Sequence, residues 1–198
     1  MHVDYERNTV GVEDALATLL YAEREPRAII MVGAYAPCAK FIRLAQERGL
    51  KSIFLNVSFV GSNPLASALG KLPVSVIVTQ VVPHPFDADI PVVRDYQSDM
   101  KAFDPSAKLG FGSLEGYIDA RILVHSLETI HNEPTREQIV EALEKLEQFD
   151  LGIGEPLKLG PTNHQACHRV WPTILRNGQF VPFQWPEIRR LLENGGAP

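Results

Sequence analysis

An α/β fold built on a parallel sheet is what this sequence predicts, and three observations predict it. Apolar runs at Ala28 to Val32, Ser52 to Val57 and Val74 to Val82 recur with room for one helix between each pair. The intervening segments carry apolar residues at helical spacing, closed by glycine or proline. Strand and helix alternate in β-α-β-α-β order, which folds into right-handed crossovers with parallel strands.

Taken in order, Asn8-Thr9 precedes Val12, Leu16, Leu19 and Leu20, with acids at Glu13 and Asp14, the pattern of an N-capped amphipathic helix. After the strand Ala28 to Val32, Pro37 suits a first helical turn. Phe41, Ile42, Leu44 and Ala45 then repeat at helical spacing, and Gly49 supplies the stop. The strand Ser52 to Val57 leads to a short helix around Pro64 to Leu69 that ends at Gly70. Val74 to Val82 is β-branched and closes at Pro83-His-Pro85.

Beyond Pro85, Ile90 to Phe103 and Ser113 to His131 read as long helices separated by a turn at Asp104 to Gly110. Thr135-Arg-Glu-Gln138 announces a third through an imperfect capping box, with Gln138 in the acid's place. From Leu151 glycine, proline and alternation return. Val170 to Leu175 and Gln179 to Phe183 flank Arg176-Asn-Gly178, a hairpin signal. Pro186 to Pro198 reads as a partly helical, fraying tail.

Composition removes several function classes. The chain has 198 residues, 45% of them hydrophobic, and a net charge of −5 without a basic cluster. Nucleic-acid binding needs a concentrated basic face, so that class drops out. No apolar run approaches the roughly 18 residues of a membrane helix. Met1 to Asn8 lacks the basic start and apolar core of a signal peptide. Cys38 and Cys167 make no disulfide framework.

The turns after the first two strands carry the candidate site. Ligands of open α/β sheets lie beyond the carboxyl ends of the strands, where Tyr35 and Ser58 follow neighbouring strands and face one crevice. Met31-Val-Gly-Ala34 is not a Gly-x-Gly-x-x-Gly loop, so a dinucleotide has no support and no cofactor is expected.

Seven stretches in order carry a resemblance: Tyr5 to Thr9, Met31 to Cys38, Asn56 to Ser62, Val78 to Pro83, Ser113 to Tyr117, Phe149 to Gly152 and Gly160 to Gln165. Through them the chain resembles the C-terminal portion of a type 1 periplasmic binding protein of the leucine/isoleucine/valine-binding family. The resemblance implies a Rossmann-like lobe of a two-lobed clamp whose lobes join by crossover strands and grip a ligand between them. It implies second-lobe units over 1–82, helices of the first lobe over 83–150, a return with a hairpin over 151–185 and a tail over 186–198. Most of the first lobe and the first strand of the second would be absent. The apolar stripes Val92, Val93, Tyr96, Met100 and Ile118, Ile122, Leu123, Leu127 would then lack the sheet they pack on. Self-association through Ile118, Ile122 and Leu127, and weak ligand binding by the monomer, follow as expectations.

The resemblance also implies a solute-binding role beside an ABC permease, in the periplasm, without catalysis. The alternative on the same fold is the ligand-sensing domain of a regulator. Tyr35 matches a position whose ring lines the ligand crevice, with Ala34 and Phe59 beside the site. Ser58 stands where amine-gripping relatives carry a carboxylate. A neutral hydroxyl makes no charge-assisted bond to an ammonium group, so a carboxylated or aromatic small molecule competes with a plain amino acid as ligand.

The remaining reactive residues have plainer readings. Cys38 follows Pro37 in a helix's first turn, where the dipole favours a thiolate, against a small buried apolar residue. His164, Cys167 and His168 offer metal ligands at a spacing that matches no standard zinc pattern. Glu115 and Asp119, four apart, are a catalytic pair or two solvated acids that repel mildly.

Overall fold

The computed structural model describes residues 1–146 and 148–193. The chain divides into two compact units, the first formed by residues 1–80 and 171–198, the second by 81–170. Among the described residues no helix is long and apolar enough to cross a membrane.

The first unit is a five-stranded sheet, β1 to β5 side by side in chain order. It comprises β1 (Ala28–Met31), β2 (Ile53–Val57), β3 (Val76–Gln80), β4 (Trp171–Arg176) and β5 (Gln179–Pro182). The first three strands are parallel, Met31 opposite Asn56 and Asn56 opposite Val78, while β4 and β5 run antiparallel. Helices α1 (Glu13–Leu20), α2 (Tyr35–Glu47), α3 (Ser62–Leu69) and α7 (Ile188–Glu193) complete the unit.

Alternation sorts the strand residues to two faces. Phe54, Asn56, Val76, Val78, Gln80 and Thr173 share one by register, and there Phe54 meets Phe41 of α2 edge-on at 6.3 Å. Ile53, Ile77 and Ile174 on the other face form a core with Phe183 and Leu191, against which Ile188 and Leu192 also pack. The segment expected to fray is therefore an anchored helix through Glu193, because its apolar residues close this face; the rest of that tail lies outside the described residues. At the β1 edge the same face is open, and Ile30 is 75% exposed.

The hairpin forms as the sequence requires: Asn177 and Gly178 both take positive φ, 52° and 79°, the tight turn whose twist matches the strands. The start of α1 differs from the expectation. Asn8-Thr9 does not cap it; Thr9 Oγ1 donates to the Glu6 carbonyl and Asn8 sits at φ 62°, closing a separate turn. Helix α1 starts after Val12 with no side-chain cap.

The second unit holds α4 (Pro91–Phe103), α5 (Phe111–Leu127) and α6 (Arg136–Glu144). The capping box of α6 is complete: Gln138 N–H donates to Thr135 Oγ1 and the Gln138 side-chain oxygen accepts from Thr135 N–H. Gln138 therefore completes the box in the acid's place.

The exposed stripes expected on these helices need correction. Val92, Val93 and Tyr96 are fully buried and Ile118 nearly so, because α4 and α5 pack on each other. Tyr96 sits at the centre, its ring 5.6 Å from that of Tyr117 and its hydroxyl bonded to Ser113 Oγ at 2.6 Å. The large apolar side chains that stay exposed on α5 are Leu123 and Val124. The unit boundary also differs from the one placed at Leu151. Phe149 and Leu157 exchange backbone hydrogen bonds, and Leu159 N–H reaches the Leu146 carbonyl. These bonds hold the chain in the second unit until Trp171 opens β4.

Candidate functional site

The carboxyl ends of β1 and β2 lie side by side, because the two strands are parallel and Met31 pairs with Asn56. Each strand end feeds a helical turn. After β1, Ala34 is the N-cap of α2 and Tyr35 its first residue, so Tyr35 belongs to the helix rather than to a loop. No side chain caps this helix, and first-turn N–H groups without such a partner present positive potential to whatever lies beyond them. After β2, Ser58 to Val60 form one 3-10 turn, and Gly61 at φ 80° redirects the chain into α3.

Both turns present candidate residues to solvent. Tyr35 is 44% exposed and Phe59 61%, Ala34 is exposed and Ser58 half-buried. The backbone thus brings Ala34, Tyr35, Ser58 and Phe59 to one end of the sheet. Neither Ala34 to Pro37 nor Ser58 to Gly61 contains a charged residue. A Cβ at Gly33 would stand 2.6 Å from the Tyr5 hydroxyl and 3.2 Å from Cys38 Sγ, so a larger residue there would displace these side chains. Tyr5 therefore packs over the entrance to α2, and burial raises its phenol above its ordinary value, with Cys38 adding to the effect.

Behind the edge lies a polar layer that sequence reasoning missed. Gln80 Nε2 donates to Ser62 Oγ at 2.8 Å and to Thr173 Oγ1 at 3.1 Å, tying the ends of β3 and β4 to the start of α3. Asn56 is 2% exposed, and neither its amide nitrogen nor its oxygen has a partner among the described residues. Trp171, opposite Gln80, stands at the same end of the sheet. The one signal for Asn56 was a polar residue inside an apolar strand, which reads equally as a solvent-facing position.

The reactive residues elsewhere take ordinary partners. Cys38 is 4% exposed, and burial pushes its thiol up to about 11, so the expected dipole effect does not make it a thiolate. Cys167 Sγ contacts Glu155 Oε1 at 3.1 Å and His164 Nε2 contacts Glu144 Oε1 at 2.9 Å. Among the described residues no three potential ligands gather around a metal position. Glu115 is raised by burial first and by Asp119 second, the mild repulsion their spacing predicts.

The family profile described as periplasmic binding protein matches residues 3–179. Among solved structures, the chain is similar to a possible leucine/isoleucine/valine-binding protein from Rhodopirellula baltica SH 1. Identity is 48% and the TM-score 0.88, over 92% of this chain and 49% of that one. A substrate-binding periplasmic protein from Ralstonia solanacearum matches at 26% identity and a TM-score of 0.80, over 91% of this chain and 51% of that one. A leucine-binding protein from Thermotoga maritima MSB8, at 21% identity and a TM-score of 0.75 over 93% and 51%, shares the fold. The chain spans about half the length of these structures. No curated protein matches it.

Proposed function

The chain belongs to the periplasmic binding protein family, and we propose from that premise that it supplies one ligand-contacting face of a solute-binding component of an ABC importer. Its ligand is an amino acid or a related small carboxylated or aromatic compound, held without turnover, and its place of work is the periplasm. Ala34, Tyr35, Ser58 and Phe59 are the contacting residues. The observation that carries this reading is their convergence at the carboxyl ends of adjacent parallel strands, where α/β sheets hold ligands.

The edge favours one subclass of ligand. An ammonium group needs a carboxylate or several acceptors, and the turns at Ala34 to Pro37 and Ser58 to Gly61 offer Ser58 and Tyr35 hydroxyls but no acid. A planar apolar body suits the exposed rings of Tyr35 and Phe59. In a clamp, affinity comes from contacts on both jaws, so the monomeric 198-residue chain binds weakly by itself.

Protein-observed NMR with leucine and with benzoate tests the reading. Benzoate is expected to shift the amides of Ala34, Tyr35, Ser58 and Phe59 more than leucine does, with Tyr35→Ala reducing the response. Submicromolar leucine binding sinks the ligand subclass. Micromolar binding by the monomer sinks the two-jaw argument.

Self-association belongs to the same proposal, on different residues from those first expected. Ile118 is buried inside its own unit, while Leu123 and Val124 are 42% and 52% exposed, and Ile30 and Val32 form a second open apolar surface. Light scattering is expected to report oligomers that Leu123→Glu disperses. A monomer at every concentration counts against it.

A further inference from the structure

A half-open cavity of about 610 Å³ lies within the second unit, inside the roughly 300–1,000 Å³ range of small-molecule sites. It belongs to residues remote in sequence from Tyr35 and Ser58. Its wall comprises the C-terminal half of α5, the end of α6, and the chain around Gln148 and Lys158. We propose that it is a second binding site, for the phosphate group of a small phosphorylated molecule with an apolar body.

Charge is the first argument. Lys145 and Lys158 both line the cavity, His125 adds an imidazole, and none of the described lining residues is acidic. Lys145 is already engaged by Glu141 at 2.6 Å. The Lys158 ammonium makes no hydrogen bond or ion pair among the described residues. Its backbone is fixed there: Lys158 N–H donates to the Ala166 carbonyl, between the Leu157 and Leu159 bonds that tie the segment to Phe149 and Leu146.

The kind of anion follows from the donors. No arginine lines the cavity, so the planar two-point grip that suits a carboxylate is missing. Lysine acts as a point charge with three donors, which fits a compact tetrahedral oxyanion. The Gln148 amide, which also lines the cavity, can add a further donor. Ala142 and Leu146 supply apolar wall. The His125 ring, stacked on Phe149 with centroids 4.1 Å apart and planes 11° apart, is held in a fixed orientation with Glu128 3.9 Å from its Nδ1.

Isothermal titration of the full chain with phenyl phosphate, inorganic phosphate and benzoate tests the assignment. Phenyl phosphate is expected to bind saturably, inorganic phosphate more weakly because it lacks the body, and benzoate not to compete. Lys158→Met is expected to weaken phenyl phosphate at least tenfold, Lys158→Arg to retain binding, and Lys101→Met to leave it unchanged. Absence of saturable binding overturns the proposal, as does binding indifferent to Lys158→Met. Equal affinity for inorganic phosphate overturns the apolar-body part. Loss of binding in Tyr35→Ala moves the ligand to the first unit and overturns the assignment without touching the reading of that edge.

Discussion

Phe54→Ala is expected to remove about 3–5 kcal/mol of stability from the first unit, the cost of emptying a large aromatic site in a packed core. Phe54 is fully buried on β2, central to the parallel part of the sheet, and its ring meets Phe41 of α2 at 79°. Such edge-on pairs add about 0.5–1.5 kcal/mol beyond burial. Against a typical total of about 5–15 kcal/mol, the loss is a large fraction. It also loosens the helix that begins at Tyr35, so ligand response and stability fall together. Urea unfolding followed by tryptophan fluorescence reads it cleanly, because both tryptophans, Trp171 and Trp185, are in the first unit. A midpoint unchanged from the parent chain would show that the pair does not hold α2 to the sheet.

The second large effect is expected at Tyr96, where two substitutions separate ring from hydroxyl. Tyr96 is 0% exposed. Its hydroxyl oxygen accepts from Gly110 N–H at 3.1 Å, at the residue that opens α5, and contacts Ser113 Oγ. Tyr96→Phe leaves that buried N–H without its acceptor, at a cost of about 1–3 kcal/mol. Tyr96→Ala also empties the ring's volume, a loss of about 3–5 kcal/mol. Hydrogen exchange read peptide by peptide should accelerate across α4 and α5 in both variants, more in the second. If Tyr96→Phe matches the parent, the hydroxyl bonds are solvent-compensated and the account of how α5 starts is wrong.

The elements most legible in the sequence were those whose cause is local. The β1 to β3 runs, the Asn177-Gly178 turn and the Thr135 to Gln138 cap each depend on residues a few positions apart. Contacts between distant segments were not legible. The apolar stripes of α4 and α5 were expected to lie exposed for want of a sheet, and the structure pairs them with each other. The segment from Pro186 read as fraying because its length and composition are weak signals, whereas Leu191 within it shares a core with Ile53, Ile77 and Ile174 from three separate strands. At the candidate site, strand ends and following turns were readable, so Tyr35 and Ser58 arrive at one edge of the sheet. Asn56 and the Gln80, Ser62 and Thr173 layer were not, since their burial exists only once α3, β3 and β4 assemble.

The pairing of Gln80 with Trp171 bears on how the polypeptide is made. The ribosome delivers β1, β2 and β3, then the entire second unit, before β4 and β5 emerge. Three of the five strands must wait with the β3 flank bare, and unpaired flanks recruit other chains. Forming the second unit first shortens that wait, because its own packing gathers the intervening chain and spares the sheet the closure entropy of a long loop. Conditions that slow this middle segment therefore lengthen the exposure of β3. The vulnerability of the nascent chain to aggregation is set by residues outside the sheet.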